Sequence, residues 1–203
     1  MTLPHLISGF RELADNYNAI LCDVWGVLHN GRHPFAGADT ALTQFRETGG
    51  KVLLLSNAPR PGTTVIARLD EIGISREAYD DILTSGDVAR ALLVERGQQN
   101  KTCHHIGPAK DADLLAGIDI RFTEIDEADF ILLSGMNDDT VETPDDYLDA
   151  MNTWHERKLQ LVCANPDRQV QYGDRVIYCA GAVAEIYEQN GGDVIWLGKP
   201  YQP

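Results

Sequence analysis

Asp23 closes a short apolar run, Ala19-Ile20-Leu21-Cys22, and is followed by Trp25 to Pro34, a stretch broken by Gly26, Asn30, Gly31 and Pro34. Ser56 and Asn57 close a second apolar run, Val52 to Leu55. A carboxylate at one strand end and a hydroxyl with an amide at another can bind ions, provided the strands lie side by side. The same residue types also serve plain turn chemistry, with Asp capping the turn after a strand and Ser-Asn opening one before Pro59. Lys199, after Gly198, is either a solvated ammonium beyond a strand or a cation for an anionic ligand. His104-His105 has metal-ligand chemistry but no partner at ligand spacing, so ordinary polar duty is expected of it. Asp138-Asp139 and Asp145-Asp146 are expected to face solvent or to favour helix starts.

The elements that position these groups follow from the apolar pattern. Ala19 to Asp23 reads as a strand buried on both faces. From Gly37 to Thr48, Ala38, Ala41, Leu42 and Phe45 recur at helical spacing, and Gly49-Gly50 supplies a left-handed stop. Val52 to Leu55 is the next strand, and Val65, Ile66, Leu69 and Ile72 mark a second helix closed by Gly73. Such alternation predicts a parallel sheet covered by helices, in which ligands collect at the carboxyl ends of the strands. Asp23 and Ser56-Asn57 both fall there. The pattern continues with a helix after Thr84-Ser85-Gly86 and strands near His104 to Ile106 and Phe130 to Leu133. A helix from Pro144 to Arg157, a strand from Leu159 to Ala164 and a turn at Asn165-Pro166-Asp167 come next. A helix from Gly181 to Gln189 and a strand from Asp193 to Leu197 complete the series.

Composition restricts the function classes. With 203 residues, 43% hydrophobic and 24% charged, the chain can bury one sizeable core or a core with a second small domain. Acidic residues outnumber basic ones 31 to 17, and no stretch gathers Lys and Arg into a stripe, so no nucleic-acid partner is expected. A net charge of −14 repels polyanions at long range, so a phosphate ligand must be met by local cations and backbone dipoles. Cys22, Cys103, Cys163 and Cys179 form no CxxC pair and are expected to be buried thiols in a reducing compartment. No apolar run approaches the ~18 residues of a membrane span, so a cytoplasmic protein without membrane association is expected.

Three motifs in order carry a more specific likeness. Asp23-Val24-Trp25-Gly26-Val27-Leu28, Leu55-Ser56-Asn57 and Gly198-Lys199-Pro200 resemble the first three motifs of the haloacid dehalogenase (HAD) superfamily, in the form used by its subclass IIA phosphatases. Ala164-Asn165-Pro166-Asp167 resembles a recurrent segment of that subclass's cap. The resemblance implies an α/β fold: a doubly wound, Rossmann-like core with an inserted α/β cap. The expected division is core over 1–85 plus 191–203 and cap over 86–190. It also implies a Mg²⁺-dependent phosphatase of a small phosphomonoester. Asp23 would attack phosphorus to form an aspartyl-phosphate, and Ser56, Asn57 and Lys199 would hold the phosphoryl oxygens. Asp23 and the backbone carbonyl of Trp25 would ligate Mg²⁺. Trp25, Asn165 and Asp167 are the candidates for the substrate pocket.

Two departures qualify that expectation. Family phosphatases place a second Asp two residues after the nucleophile as general acid and base, and Trp25 stands there; an indole cannot do that work near neutral pH. His29 and His33 lie in the same loop as conceivable substitutes, although solvated loop histidines are the expectation. The chain also ends four residues after Lys199, before the acidic fourth motif, so an incomplete core with weakened metal affinity is expected. The alternative is therefore a non-catalytic or weakly active phospho-ligand-binding module, with dehalogenation or phosphonate cleavage as a third reading. The expected partners are a small phosphorylated metabolite and, through an exposed sheet edge, a second copy of the chain in a homo-oligomer.

Overall fold

The computed structural model describes residues 6–201. Two compact units are present, one built from residues 1–55 with 67–83 and the other from 56–66 with 84–203. The last strand is hydrogen-bonded into the second unit's sheet, and residues 56–66 belong to that unit.

The first unit follows a short helix α1 (Arg11–Ala14) with a sheet in the order β1 (Ala19–Asp23), β2 (Lys51–Ser56), β3 (Asp81–Thr84). β1 and β2 are parallel and in register from Ala19 opposite Lys51 to Asp23 opposite Leu55. The crossover is helix α2 (Ala38–Glu47), which begins after Gly37 at φ +80° and stops before Gly49 at φ +95°, the left-handed stop expected there. Helix α3 (Gly62–Glu71) leads towards β3. Val24, Leu28, Phe45, Val52, Leu54 and Leu69 form the buried interior. The expectation that β1 is buried on both faces does not hold: Leu21 is 69% exposed whereas its neighbour Cys22 is buried. Burial alternates along β1 and β3, the pattern of a sheet covered on one face. Asp80 ties the unit together, accepting from Arg46 Nη2 at 3.0 Å, Lys51 Nζ at 3.1 Å and the Val52 amide at 2.8 Å.

The second unit is a parallel five-stranded sheet in the order β10 (Val194–Trp196), β7 (Gln160–Cys163), β6 (Phe130–Leu133), β4 (Thr102–Ile106), β5 (Arg121–Phe122). Period-two alternation of β6 explains its layers. Ile131 and Leu133 join a cluster with Met151 and Trp154 of α5 (Leu148–Glu156) and Val183, Ala184 and Tyr187 of α6 (Ala180–Gln189). Phe130 and Leu132 join another with Ala89 and Leu93 of α4 (Ser85–Gln98). Every residue of β6 is therefore buried, and helices cover both faces of this sheet; the doubly wound arrangement was expected of the core, whereas this sheet is built mostly from residues 86–190. The antiparallel hairpin β8 (Gln169–Tyr172) and β9 (Arg175–Tyr178), turning at Gly173, was not anticipated. The alternation Gln169-Val170-Gln171-Tyr172 before Gly173 is the signal that marks it. The four cysteines are buried free thiols, and burial pushes Cys103 and Cys179 up to about 12.

Trp154 is 2% exposed and meets the Tyr187 ring edge-on at 5.6 Å. Trp154→Ala is expected to cost about 3–5 kcal/mol of stability, read as a lowered denaturant midpoint with an unchanged slope.

Candidate functional site

At the carboxyl edge of the five-stranded sheet, Gly198-Lys199 follows β10 and Ala164-Asn165-Pro166-Asp167 follows β7. The Asn57 side chain joins both segments. Its Oδ1 accepts from the Lys199 amide at 2.8 Å, and its Nδ2 donates to the Lys199 carbonyl at 3.0 Å and to Asp167 Oδ1 at 2.9 Å. An amide group has two N–H donors, so both are engaged, and the donor left on Asn57 for an anion is its backbone N–H. Gly198 makes the approach feasible. Its φ is +104°, and a Cβ there would stand 2.7 Å from Asn57 Oδ1 and 3.0 Å from Ser85 Oγ. Buried Ser85 donates to the Leu197 carbonyl at 2.6 Å and holds the same turn from the other side.

The Ser56–Gly62 segment is secured by the first turn of α4. Thr84 caps that helix in a reciprocal capping box with Asp87. Asp87 Oδ1 accepts from the Gly62 amide at 3.0 Å, Thr84 Oγ1 donates to the Arg60 carbonyl at 2.6 Å, and the Gly86 amide donates to the Ala58 carbonyl at 3.0 Å. A Cβ on Gly86 would collide with the Arg60 backbone. Ser56 Oγ accepts from the Ala58 amide at 3.1 Å, which leaves its O–H as a donor. Asn165 and Asp167 serve first as turn chemistry, with Asn165 Oδ1 accepting from the Asp167 amide at 3.1 Å. Gly181 at the start of α6 lets the Pro166 and Asp167 carbonyls pass close by. The structure thus brings Asn57, Lys199, Asn165 and Asp167 together, with Ser56 adjacent in the chain.

Asp23 and Trp25 belong to the first unit. Asp23 is exposed at the end of β1, and its Oδ1 accepts from the Val24 amide at 2.9 Å. The Trp25 indole meets the His29 ring edge-on, with centroids 5.1 Å apart. His29 is not a solvated loop histidine: it is 4% exposed, and its Nδ1 accepts from the Gly31 amide at 2.8 Å, so the neutral ring carries its proton on Nε2. His33, by contrast, is exposed. Burial and the Arg68 guanidinium hold the His29 imidazole below the usual histidine range, against an opposing pull from Asp23. His29 is the residue of this loop that sequence reasoning underrated, because nothing in its spacing distinguishes it from His33.

Asp23 offers an exposed carboxylate, and the Trp25 carbonyl is a second oxygen donor in the same loop. Among the described residues no group of three or more His, Cys, Asp or Glu is arranged to hold a metal ion. A sparse set of oxygen donors fits a hard ion such as Mg²⁺ that keeps several waters, and does not fit a soft ion needing a protein cage.

Comparison with known proteins now defines the class. The sequence pattern of haloacid dehalogenase-like hydrolases matches residues 20–121. A hydrolase of the haloacid dehalogenase-like family from Brucella suis 1330 is 41% identical, with a TM-score of 0.92, covering 98% of this chain and 75% of that one. The chain belongs to the haloacid dehalogenase-like hydrolase family. D-glycerol 3-phosphate phosphatase of Mycobacterium tuberculosis (strain ATCC 25618 / H37Rv) is 28% identical over 111 residues, 55% of this chain and 31% of that relative. The crystal structure of glycerol phosphate phosphatase from M. tuberculosis with calcium is 22% identical with a TM-score of 0.66, covering 93% of this chain and 55% of that one. At that identity the likeness speaks for the fold alone. The same protein is also known in complex with magnesium.

Gly198→Ala is expected to cost about 1–3 kcal/mol, because the left-handed conformation and the overlap with Asn57 act together; chemical denaturation measures it. For His29 the folded pKa lies below the unfolded value of about 6.5, so the unfolded chain binds the proton first. Stability from this group is present above that pH and is lost as pH falls through the folded pKa. His29→Gln is expected to flatten the stability profile below about pH 6.5, and the His29 ring should titrate by NMR below the ordinary histidine range.

Proposed function

We propose that this chain carries the phosphoryl-binding and nucleophilic parts of a phosphatase acting on a small phosphorylated metabolite. The observation that supports this best is the double hydrogen bond between the Asn57 amide and the Lys199 backbone, which fixes an ammonium-bearing turn beside the Ser56–Asn57 segment. In this reading the Lys199 ammonium, the Ser56 hydroxyl and the Asn57 backbone N–H receive the phosphoryl oxygens. Asp23 attacks phosphorus, the P–O bond to the alcohol breaks, and water then cleaves the aspartyl-phosphate to regenerate the carboxylate. Asp23 and the Trp25 carbonyl would hold Mg²⁺, which when bound supplies positive charge against the phosphoryl oxygens.

Trp25 supports a second reading. The indole stands where family phosphatases carry a general acid, and neither it nor the buried neutral His29 is suited to protonate an alkoxide. The site would then bind phosphorylated ligands with little turnover. The two readings separate on leaving groups. If the chain is a phosphatase, phosphate release with Mg²⁺ should be faster from an aryl ester, whose leaving group needs no proton, than from an alkyl ester. Asp23→Asn should abolish release. Trp25→Asp is expected to raise alkyl-ester turnover by about 10²-fold or more. Release undiminished in Asp23→Asn would remove the nucleophile assignment, and brisk native turnover of alkyl esters would remove the binding-module reading.

A further inference from the structure

The carboxyl edge of the five-stranded sheet carries a second polar group beyond the Asn57–Lys199 tie. Arg60 Nε donates to Asp111 Oδ1 at 2.9 Å, and the Asp111 side chain is only 3% exposed. Ser134, directly after β6, lies close enough to oppose the rise that burial imposes on the Asp111 pKa, and its Oγ lies 3.0 Å from His105 Nε2 of β4. A buried carboxylate is costly unless it is paired and hydrogen-bonded, and here a guanidinium and a hydroxyl meet it together.

Arg60 is held along its length. Pro59 and Pro61 flank it, Thr84 and Gly86 fix the backbone on either side, and Asp111 fixes Nε. A guanidinium has five N–H donors, and Asp111 engages the one on Nε. The two Nη groups remain, on a side chain that is 28% exposed. Two parallel Nη donors match the two oxygens of a carboxylate. A single negative charge suits the place better than a phosphate dianion, since Asp111 already offsets the guanidinium charge.

Spacing relates this group to the phosphoryl-binding turn. β10, β7 and β6 are successive neighbours in the sheet. At about 4.8 Å per strand, the ends carrying Lys199 and Ser134 are about 10 Å apart. The three residues from Asn57 to Arg60 span at most about 10 Å as well. A backbone interval of at most about 10 Å between two long side chains is one that a small molecule with two anionic ends can span.

We propose that Arg60 is a specificity-determining residue that receives the carboxylate of a small phosphorylated acid whose phosphoryl group lies at Lys199. This rests on the phosphoryl-binding reading above and adds the substrate class.

Calorimetric titration of the full chain carrying Asp23→Asn, which blocks turnover, tests it with inorganic phosphate, glycerol 3-phosphate and 3-phosphoglycerate. The last two differ in a hydroxymethyl against a carboxylate. The acid should bind about tenfold or more tightly than the alcohol. Arg60→Met should remove that difference and leave glycerol 3-phosphate affinity within about twofold. Arg60→Gln, which keeps a polar head, serves the same purpose if the Met variant does not fold. Equal affinity for the two probes in the parent chain overturns the proposal without any variant. So does an Arg60 substitution that weakens both probes alike, which would make the Asp111 pair a loop anchor only. Inorganic phosphate reports on the underlying reading: if it binds and Lys199→Met weakens it, that reading stands whatever Arg60 does. If it does not bind, both fall.

Discussion

The backbone of Lys199 is held by a side-chain amide 142 residues earlier in the chain, and the candidate site depends on that tie. Asn57 reads the Lys199 peptide as another strand would, donating to its carbonyl and accepting from its N–H. The cost is that the Asn57 side chain has no donor left for a ligand. Its role is to position, and the groups that would meet an anion are backbone N–H, hydroxyl and ammonium. Gly198 is the complement of this arrangement, since any side chain there would displace the amide that it lets in.

The parallel sheet explains why so many polar groups converge. In such a sheet every strand ends on the same edge, and the following helices begin there, so strand-end turns and helix first turns share one surface. Gly198-Lys199 after β10, Asn165-Pro166-Asp167 after β7 and Ser134 after β6 are all products of that rule. The Ser56–Gly62 segment joins them through Thr84, Gly86 and Asp87. Hydrophobic clusters on both sheet faces back this edge, and the central strand β6 is buried throughout.

The loop after Asp23 is organised differently, around a ring rather than around strand ends. His29 accepts from its own loop through Nδ1, packs on Trp25, and is kept neutral by burial and by Arg68. The Trp25 indole is thus paired with a buried aromatic ring whose proton affinity is lowered.

Much of the architecture was legible in the chain. The strands at β1, β2, β4, β6, β7 and β10, the helices α2 to α6 and the positions of Asp23, Ser56, Asn57 and Lys199 at strand ends follow from apolar periodicity and from Gly and Pro punctuation. These are local properties, set by a side chain and its neighbours within a few residues. The burial of His29 against the exposure of His33, the one-sided covering of β1, the pairing of β10 with β7, and the Arg60–Asp111 pair were not legible. Each depends on which distant segment arrives beside the residue. Asn57 shows the division most clearly: its type and place come from the sequence, but whether its amide meets a ligand or a lysine backbone was decided when the fold brought Gly198 within reach.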